Sequence, residues 1–335
     1  MNYIGSKFKL KHFLLESISQ EIKAWGVDLR TCVFTDLFSG TATVGKIFKN
    51  RVKKIISNDK EFYSFVLAKN YIQNSKELQR ADFLIQILNE KTPPCKGKIY
   101  QHYALGGGEN RQYFSDFNAM KIDGIRKQLS LWKDENFIDE KEYFFLLASL
   151  LKSADKVANT ASVYGAFLKN LKKSAQKTLV LRPAIFEPSA NENEVYNEDA
   201  NTLIKKIQSD ILYLDPPYNS REYGANYHIL NTIALYDDFI PSGKTGLRSY
   251  EKSPWCKKRL VYEELKNLIK NAKAKFIFLS YNDEGLLSLN DIKELFEKYG
   301  EYKLQQKEHQ RFKADSKRIQ RQNKTIEYLH ILKKY

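Results

Sequence analysis

The chain has 335 residues, of which 42% are hydrophobic and 13% aromatic, and its formal net charge is +15. This composition is typical of a folded protein with a sizeable core, and it excludes a disordered or low-complexity chain. The basic excess favours a polyanionic partner, nucleic acid before an anionic membrane surface, although generic surface lysines remain an alternative.

Neither a membrane segment nor a cysteine-based site is expected. The longest apolar run, FFLLASLL at residues 144–151, is much shorter than a helix that spans a bilayer. The first residues, MNYIGSKFKLKHFLLES, are charged too early for a secretory signal. The three cysteines have neither the spacing of zinc ligands nor that of a disulfide framework, so we expect no metal and a cytoplasmic protein.

The first third of the chain alternates between strand and helix patterns. TCVFTDLF (31–38) predicts a buried strand, SGTATVG a turn of small residues, KIFKNRV a helix and KKIISND (53–59) a second strand. This order is typical of doubly wound α/β folds, whose ligands bind at the carboxyl ends of the strands.

A helical region interrupts this pattern. Residues 76–92, 116–133 and 139–173 have apolar residues at helical spacing, and HYALGGGENRQYF (102–114) predicts a glycine-rich loop between them. We therefore predict a helical insertion over residues 76–190 that separates two parts of an α/β core, residues 1–75 and 191–335.

The strand and helix pattern resumes after the insertion. It runs through VYNEDANTLIKKI (195–207), DILYLDPPY (210–218) and AKFIFLSYND (274–283). The last two strand-like runs, EYKLQQKEHQRF (301–312) and TIEYLHILKKY (325–335), could pair as a long hairpin. The predicted fold class is α/β, with a mostly parallel sheet and an antiparallel hairpin at its C-terminal end.

The strand predicted at ILYLDPPY ends in two adjacent prolines. Proline cannot donate to a sheet ladder and has a fixed φ, so the strand must stop and continue as a rigid turn, Asp215 to Tyr218. A strand exit that happens to contain prolines is the simpler alternative.

The first strand is followed by small residues that allow a ligand to approach the backbone near a helix N-terminus, Ser39 to Ala42. The turn is neither the G-x-G-x-x-G of nicotinamide enzymes nor a Walker loop. Asp59 follows the second strand, where α/β nucleotide-binding proteins place an acid that accepts hydrogen bonds from ribose hydroxyls. A solvated acid in a turn is the alternative for Asp59.

Four segments, NYIGSK, DLFSGTATVG, NDKE and LYLDPPY, occur in this order and resemble motifs of the adenine-specific DNA methyltransferases that share a Dam-like catalytic domain. The resemblance implies a Rossmann-like methyltransferase core, S-adenosylmethionine as cofactor, double-stranded DNA as substrate and a restriction–modification system with a cognate restriction endonuclease. Related Asp-Pro-Pro-Tyr motifs also occur in enzymes that methylate cytosine N4, RNA or a glutamine amide. Another amino-methyltransferase therefore remains an alternative, as does an inactive nucleic-acid-binding protein, and YIGSK favours adenine in DNA.

The resemblance also implies a catalytic set, which consists of Asp215, Pro216, Pro217 and Tyr218. A carboxylate and a carbonyl fixed by proline would hold the amino group of an adenine that has left the duplex, and Tyr218 would stack on the base. The implied cofactor-binding residues are Tyr3, Lys7, Asp36, Phe38, Ser39, Gly40, Thr41, Asp59 and Asp199. A helix N-cap is the alternative for Asp199, and a solvated lysine is the alternative for Lys7.

DNA binding is expected from a basic segment near the C-terminus. Residues 303–324 contain eight Lys or Arg and two acidic residues, a pattern that suits phosphate contacts, although a solvated charged loop is the alternative. The predicted DNA-binding residues are Arg221, Arg311, Lys313, Lys317, Arg318 and Arg321. We expect the helical insertion to read the target sequence, with Arg111 as one candidate, and we consider His228 more often structural than functional.

Overall fold

A computed structural model describes residues 3–310 and 324–335, and the chain divides into two compact units. The sheet unit consists of Gly5–Ala68, Ser189–Glu222 and residues 252–310 and 324–335. The helical unit consists of residues 3–4, Lys69–Pro188 and Tyr223–Glu251. The helical unit thus takes in most of the insertion predicted at 76–190, together with a second segment, Tyr223–Glu251, that the sequence pattern assigned to the core.

The sheet unit is built on seven strands. They are β1 (Val33–Asp36), β2 (Lys54–Asn58), β3 (Glu194–Tyr196), β4 (Gln208–Leu214), β5 (Lys273–Asn282), β6 (Gly300–Gln310) and β7 (Lys324–Lys334). Their order is β3-β2-β1-β4-β5-β7-β6; the first five are parallel, and β7 is antiparallel to both β5 and β6. The predicted mostly parallel sheet with an antiparallel C-terminal hairpin is confirmed.

Six α-helices accompany this sheet in the described part of the unit, and the labels follow the order of all α-helices along the chain. They are α1 (Lys11–Ala24), α2 (Thr43–Phe48), α3 (Phe62–Ala68), α8 (Ala200–Leu203), α11 (Val261–Asn271) and α12 (Leu289–Glu297). Residues 211–214 of β4 are all buried, because a central parallel strand is covered on both faces. One apolar cluster of the core joins β4 to the helices that cover it, through Leu212, Leu214, Leu265, Leu268, Ile292 and Phe296.

The order of strands reverses between β1 and β4. From β1 the chain proceeds to β2 and β3 on one side, whereas β4 and β5 lie on the other. Asp36 at the end of β1 is in register with Ser57 of β2 and with Tyr213 of β4. The carboxyl ends of three strands therefore meet at the topological switch point, where open α/β sheets bind their ligands.

The helical unit contains α4 (Ala81–Glu90), α5 (Lys98–Tyr103), α6 (Asp116–Asp134), α7 (Glu140–Val157), α9 (Tyr223–Asn226) and α10 (His228–Leu235). The prediction of helix over 139–173 is wrong beyond Val157. There the chain continues as turns and irregular segments, and the side chain of Asn159 donates to the carbonyls of Gln112 and Leu168, both at 2.9 Å. The apolar spacing indicated a longer helix because hydrophobic residues also occur in the irregular chain that follows. None of the helices within residues 3–310 and 324–335 is long and apolar enough to cross a lipid bilayer.

Two candidate functional residues of the helical unit have structural surroundings. His228 is buried with its Nε2 3.1 Å from the carbonyl oxygen of Tyr164, and burial lowers the pKa of its imidazole to about 4. The guanidinium of Arg111 is buried and donates to the carbonyls of His102, Gly243 and Lys244. Arg111 therefore holds the turn at residues 243–246, and its guanidinium is committed to these carbonyls and to Glu109, 3.3 Å away.

Candidate active site

The end of β1 presents a buried carboxylate. Helix α2 follows Ala42, which has a left-handed backbone (φ 57) and no side-chain oxygen that could cap the helix. Asp36 Oδ2 takes this place and accepts the N–H of Gly45 at 3.0 Å. Two of the buried side-chain atoms without a hydrogen-bond partner among the described residues, Asp36 Oδ1 and Ser39 Oγ, lie at this strand end. Buried polar atoms in native proteins are nearly always paired, so these two atoms indicate a place for a polar ligand.

The end of β2 holds the turn that follows β1. Asp59 accepts the N–H of Gly40 at 2.7 Å and that of Glu61 at 2.9 Å, and Gly40 has the positive φ (51) that glycine tolerates. Beside it, the Phe38 ring packs edge-on against Trp255 with centroids 5.1 Å apart. Asp59 is therefore a bonded part of the turn, which argues against a solvated acid.

Asn58 joins three segments of this site. Its side chain donates to the carbonyls of Leu37 and Glu198, each at 3.1 Å, and accepts the N–H of Glu198 at 3.0 Å. These bonds bring Asp199 to the ends of β1 and β2. Asp199 accepts the N–H of Thr202 at 3.0 Å and so caps α8, as the alternative interpretation expected.

The Asp-Pro-Pro-Tyr segment leaves the sheet as predicted. Strand β4 ends at Leu214, and the next four residues form no regular secondary structure. The Tyr218 carbonyl accepts the N–H of Leu286 at 2.8 Å, and its ring meets Tyr281 edge-on with centroids 6.5 Å apart. The end of β5 thus contacts the ring of Tyr218, and the loop after β5 fixes its backbone.

Lys7 lies buried between two carboxylates of the sheet unit. Its ammonium is 2.9 Å from Asp215 Oδ1 and 2.8 Å from Glu327 Oε1, and it lies 6.0 Å from the centroid of the Tyr218 ring. Glu327 in β7 also accepts a hydrogen bond from Ser280 Oγ at 2.5 Å. Lys7 is therefore an internal ion-pair partner, and the alternative of a solvated lysine is excluded.

Burial dominates the electrostatics of the site. It raises the pKa of the Asp36, Asp59 and Asp215 carboxyls to about 7 in each case. The Lys7 ammonium opposes the rise at Asp215, whereas the Glu327 carboxylate adds to it. Burial lowers the pKa of Lys7, but the two carboxylates outweigh this effect and raise that pKa well above its ordinary value. Two acids, Asp215 and Glu327, thus share one ammonium, and Asp36 and Asp59 lie nearby without one in the described part of the chain, so the site favours an additional cation.

Two residues of this arrangement, Asn58 and Glu327, were missed by sequence reasoning. A period-two pattern could have indicated Glu327, since Thr325, Glu327, Leu329 and Ile331 alternate onto a buried face of β7. An acid on a buried face needs a cationic or hydrogen-bonding partner, but the sequence does not indicate which residue this is. Asn58 carried no comparable signal, because asparagine is common in turns after strands.

The remaining predicted residues are placed as follows. Tyr3 belongs to the helical unit, where it stacks on Tyr227 with centroids 4.6 Å apart, and its role at the cofactor stays a prediction. Arg221 is exposed in the sheet unit, and its carbonyl accepts from Cys256 Sγ at 3.5 Å. The other predicted DNA-binding residues lie outside the described residues: Arg311, Lys313, Lys317, Arg318 and Arg321.

Comparison with known proteins identifies the family. Residues 3–295 match the model of the D12 class N6 adenine-specific DNA methyltransferases. The chain is 57% identical to the type II methyltransferase M.NlaIII of Neisseria lactamica, over 100% of this chain and 99% of that protein. It is 40% identical to M.CviAII of Paramecium bursaria Chlorella virus 1, over 94% of this chain and 93% of that protein. It is 38% identical to M.FokI of Planomicrobium okeanokoites, over all of this chain but only 53% of that longer protein. The chain therefore belongs to the D12 class of N6 adenine-specific DNA methyltransferases, which favours adenine over the cytosine and RNA alternatives.

Proposed function

We propose that this chain moves the methyl group of S-adenosylmethionine to N6 of adenine within one specific duplex sequence. We further propose that it acts beside a cognate restriction endonuclease. The observation that carries the assignment of the donor is the set of three acids at neighbouring strand ends, Asp36, Asp59 and Asp215, of which only Asp215 is paired with Lys7. A cationic ligand suits this charge balance, and S-adenosylmethionine supplies, when bound, a methyl group activated by a positively charged sulfur.

The side chains present fit this cofactor. The unpartnered Asp36 Oδ1 suits the ammonium of its methionine part, and one N–H of Lys7 remains for the carboxylate after two are used. Asp59 and Asp199 would accept from the ribose hydroxyls and the adenine amino group. Each carboxylate oxygen has a second lone pair, so their backbone bonds leave room for this role.

Asp215 and the prolines would prepare the target amino group. The lone pair of an adenine amino nitrogen is delocalised into the ring, so the nitrogen must become pyramidal before it can attack a methyl carbon. The Asp215 carboxylate and the Pro216 carbonyl would each accept one amino hydrogen, and Pro217 keeps the turn rigid. Asp215 would also stabilise the positive charge that develops on the nitrogen.

Tyr218 would hold the base after it leaves the duplex. The amino group cannot be reached inside the helix, and extrusion costs stacking energy that an aromatic ring offsets by roughly 1–3 kcal/mol. The exposed Arg221 and the basic segment with Arg311, Lys313, Lys317, Arg318 and Arg321 would contact phosphates.

The proposed function is tested by transfer of a labelled methyl group from S-adenosylmethionine to plasmid DNA. DNA from cells that express the chain is then sequenced with detection of modified bases. We expect N6-methyladenine in one short motif at nearly every occurrence. Label on cytosine or on RNA, or the absence of transfer to any DNA, would contradict the proposal.

Replacement of Asn58 by alanine should weaken cofactor binding. The change removes three hydrogen bonds and leaves the carbonyls of Leu37 and Glu198 without this donor, at about 1–3 kcal/mol for each buried group. We expect the affinity for S-adenosylmethionine, measured by calorimetry, to fall at least about tenfold. Asn191→Ala is the matched control, because Asn191 donates to the carbonyls of Lys49 and Val52, before the opposite end of β2. Equal losses of affinity in both variants would show that only stability was affected.

Replacement of Gly285 by alanine should slow methyl transfer. A Cβ at this position would lie 2.0 Å from Tyr281 Cε1, so the ring that packs against Tyr218 must move. We expect a lower single-turnover rate of methyl transfer. The loss should be larger in the rate at saturating cofactor than in the affinity for the cofactor. Gly26→Ala is the control, since its positive φ (74) strains the backbone but no atom lies within 4 Å of the added carbon. If both variants kept the wild-type rate, Tyr281 would have no part in positioning Tyr218.

A further inference from the structure

We propose that Glu327 is a positioning residue for the methylation reaction. It acts as the permanent counter-ion of Lys7, holding the ammonium against one oxygen of Asp215 so that the other oxygen faces the adenine amino group. This inference rests on the proposed role of Asp215, and it identifies Glu327 as the group that offsets the positive charge of Lys7 beside Asp215.

The geometry places the two acids on either side of one ammonium. Lys7 Nζ lies 2.9 Å from Asp215 Oδ1 and 2.8 Å from Glu327 Oε1. The Glu327 side chain is 4% exposed and that of Asp215 is 16% exposed, so Glu327 lies on the inner side of the ammonium. Asp215 is the acid within reach of a ligand.

The sheet fixes this order. Asp215 follows β4 and Glu327 lies in β7, with β5 between the two strands. Ser280 of β5 donates to the same Oε1 that meets Lys7, so two donors converge on one oxygen of Glu327. The bond from Ser280 thus holds the Glu327 carboxylate in place against the sheet. The position of the Lys7 ammonium, by contrast, depends on its two acidic partners, Asp215 and Glu327.

The charge balance gives Glu327 its effect on the reaction. With Asp215 alone, the ammonium would cancel the carboxylate that must stabilise positive charge on the amino nitrogen. With Glu327 also ionised, the three groups together carry one net negative charge. The other titratable groups that act on Lys7 or Asp215 are Tyr213, Tyr218, Asp36 and Asp59. Neutral phenols do not supply this charge, and we place Asp36 and Asp59 at the cofactor.

The test uses Glu327→Gln, which preserves shape and an acceptor but removes the charge. Single-turnover methylation at saturating S-adenosylmethionine is followed from acid to alkaline pH. We expect the maximal rate to fall roughly tenfold or more. We also expect the acid limb of the profile to move to lower pH, because Glu327 no longer raises the pKa of Asp215. A structural role alone would change stability and leave the acid limb in place.

A double-mutant cycle shows whether Glu327 acts through Lys7. In a Lys7→Met background we expect Glu327→Gln to cause no further loss of rate, since the ammonium that it positions is gone. Additive losses would overturn the proposal. Glu21→Gln is the matched control, because Glu21 pairs with Lys303 at 2.9 Å in the same unit, and it should leave the rate and profile unchanged.

Two further results separate the possible failures. If Glu327→Gln does not fold, Glu327→Asp keeps the charge one methylene short and should retain the wild-type acid limb with a reduced rate; a rate equal to wild type would overturn the proposal. A wild-type rate and acid limb in Glu327→Gln would overturn it as well. If Asp215→Asn keeps its rate, the proposed role of Asp215 fails first, and this outcome differs from a failure at Glu327 alone.

Discussion

Asp215→Asn is expected to reduce the single-turnover rate of methyl transfer roughly a hundred- to a thousandfold. Asparagine has nearly the same shape, but it lacks the charge that would stabilise the developing ammonium. Its amide NH₂ group also donates hydrogen bonds where a carboxylate oxygen accepts them. Lys7 keeps Glu327 as a partner, so the buried ammonium is not left without an acid. The variant should therefore fold and still bind DNA.

The measurement combines rapid-quench methylation with separate binding of S-adenosylmethionine and of a duplex that carries the target site. Asp210→Asn is the control, because Asp210 is also an acid of β4 but accepts the N–H of Val33 at the opposite end of the strand. We expect the control to keep the wild-type rate. Transfer at an undiminished rate by Asp215→Asn would rule out a catalytic role for this carboxylate.

Binding of S-adenosylmethionine is expected to release protons and to strengthen as the pH rises towards about 7. The pKa values of Asp36, Asp59 and Asp215 are about 7 without a ligand, so a fraction of these acids is protonated in neutral solution. A bound cation favours the ionised acids and lowers their pKa values, and the protons leave. Affinity should change by up to about tenfold per pH unit for each proton released, and it should level off above pH 7.

Titration calorimetry in two buffers of different ionisation enthalpy measures this release directly. S-Adenosylhomocysteine is the control ligand, since its sulfur is neutral and it should release fewer protons. Equal affinity at pH 6 and pH 8, without proton release, would contradict the proposed cationic ligand.

The same pKa values have a consequence for stability. Between the ordinary pKa of Asp and about 7, the native state binds more protons than the unfolded state, so these groups lower the free energy of unfolding as pH rises.

The sequence by itself determined the strand ends of the site. A central parallel strand must be apolar on both faces, and this pattern indicated β1 and β4. Proline cannot continue a ladder, so the two prolines placed the end of β4 just before the Asp-Pro-Pro-Tyr segment. Strand ends of a doubly wound sheet converge, so Asp36, Asp59 and Asp215 could be grouped before any coordinates. The hairpin at the C-terminus was equally visible, because two long strand patterns follow one another with only the basic connection at 313–324 between them.

Only the tertiary structure decided which partners these acids have. Lys7 meets Asp215 and Glu327 across most of the length of the chain, and such pairs leave no periodic signal along the sequence. The end of α7 at Val157 and the membership of Tyr223–Glu251 in the helical unit were likewise fixed by packing and by side-chain bonds to backbone. Local patterns report which face of an element is buried, whereas the identity of the group that it meets depends on contacts that form only when distant segments pack together.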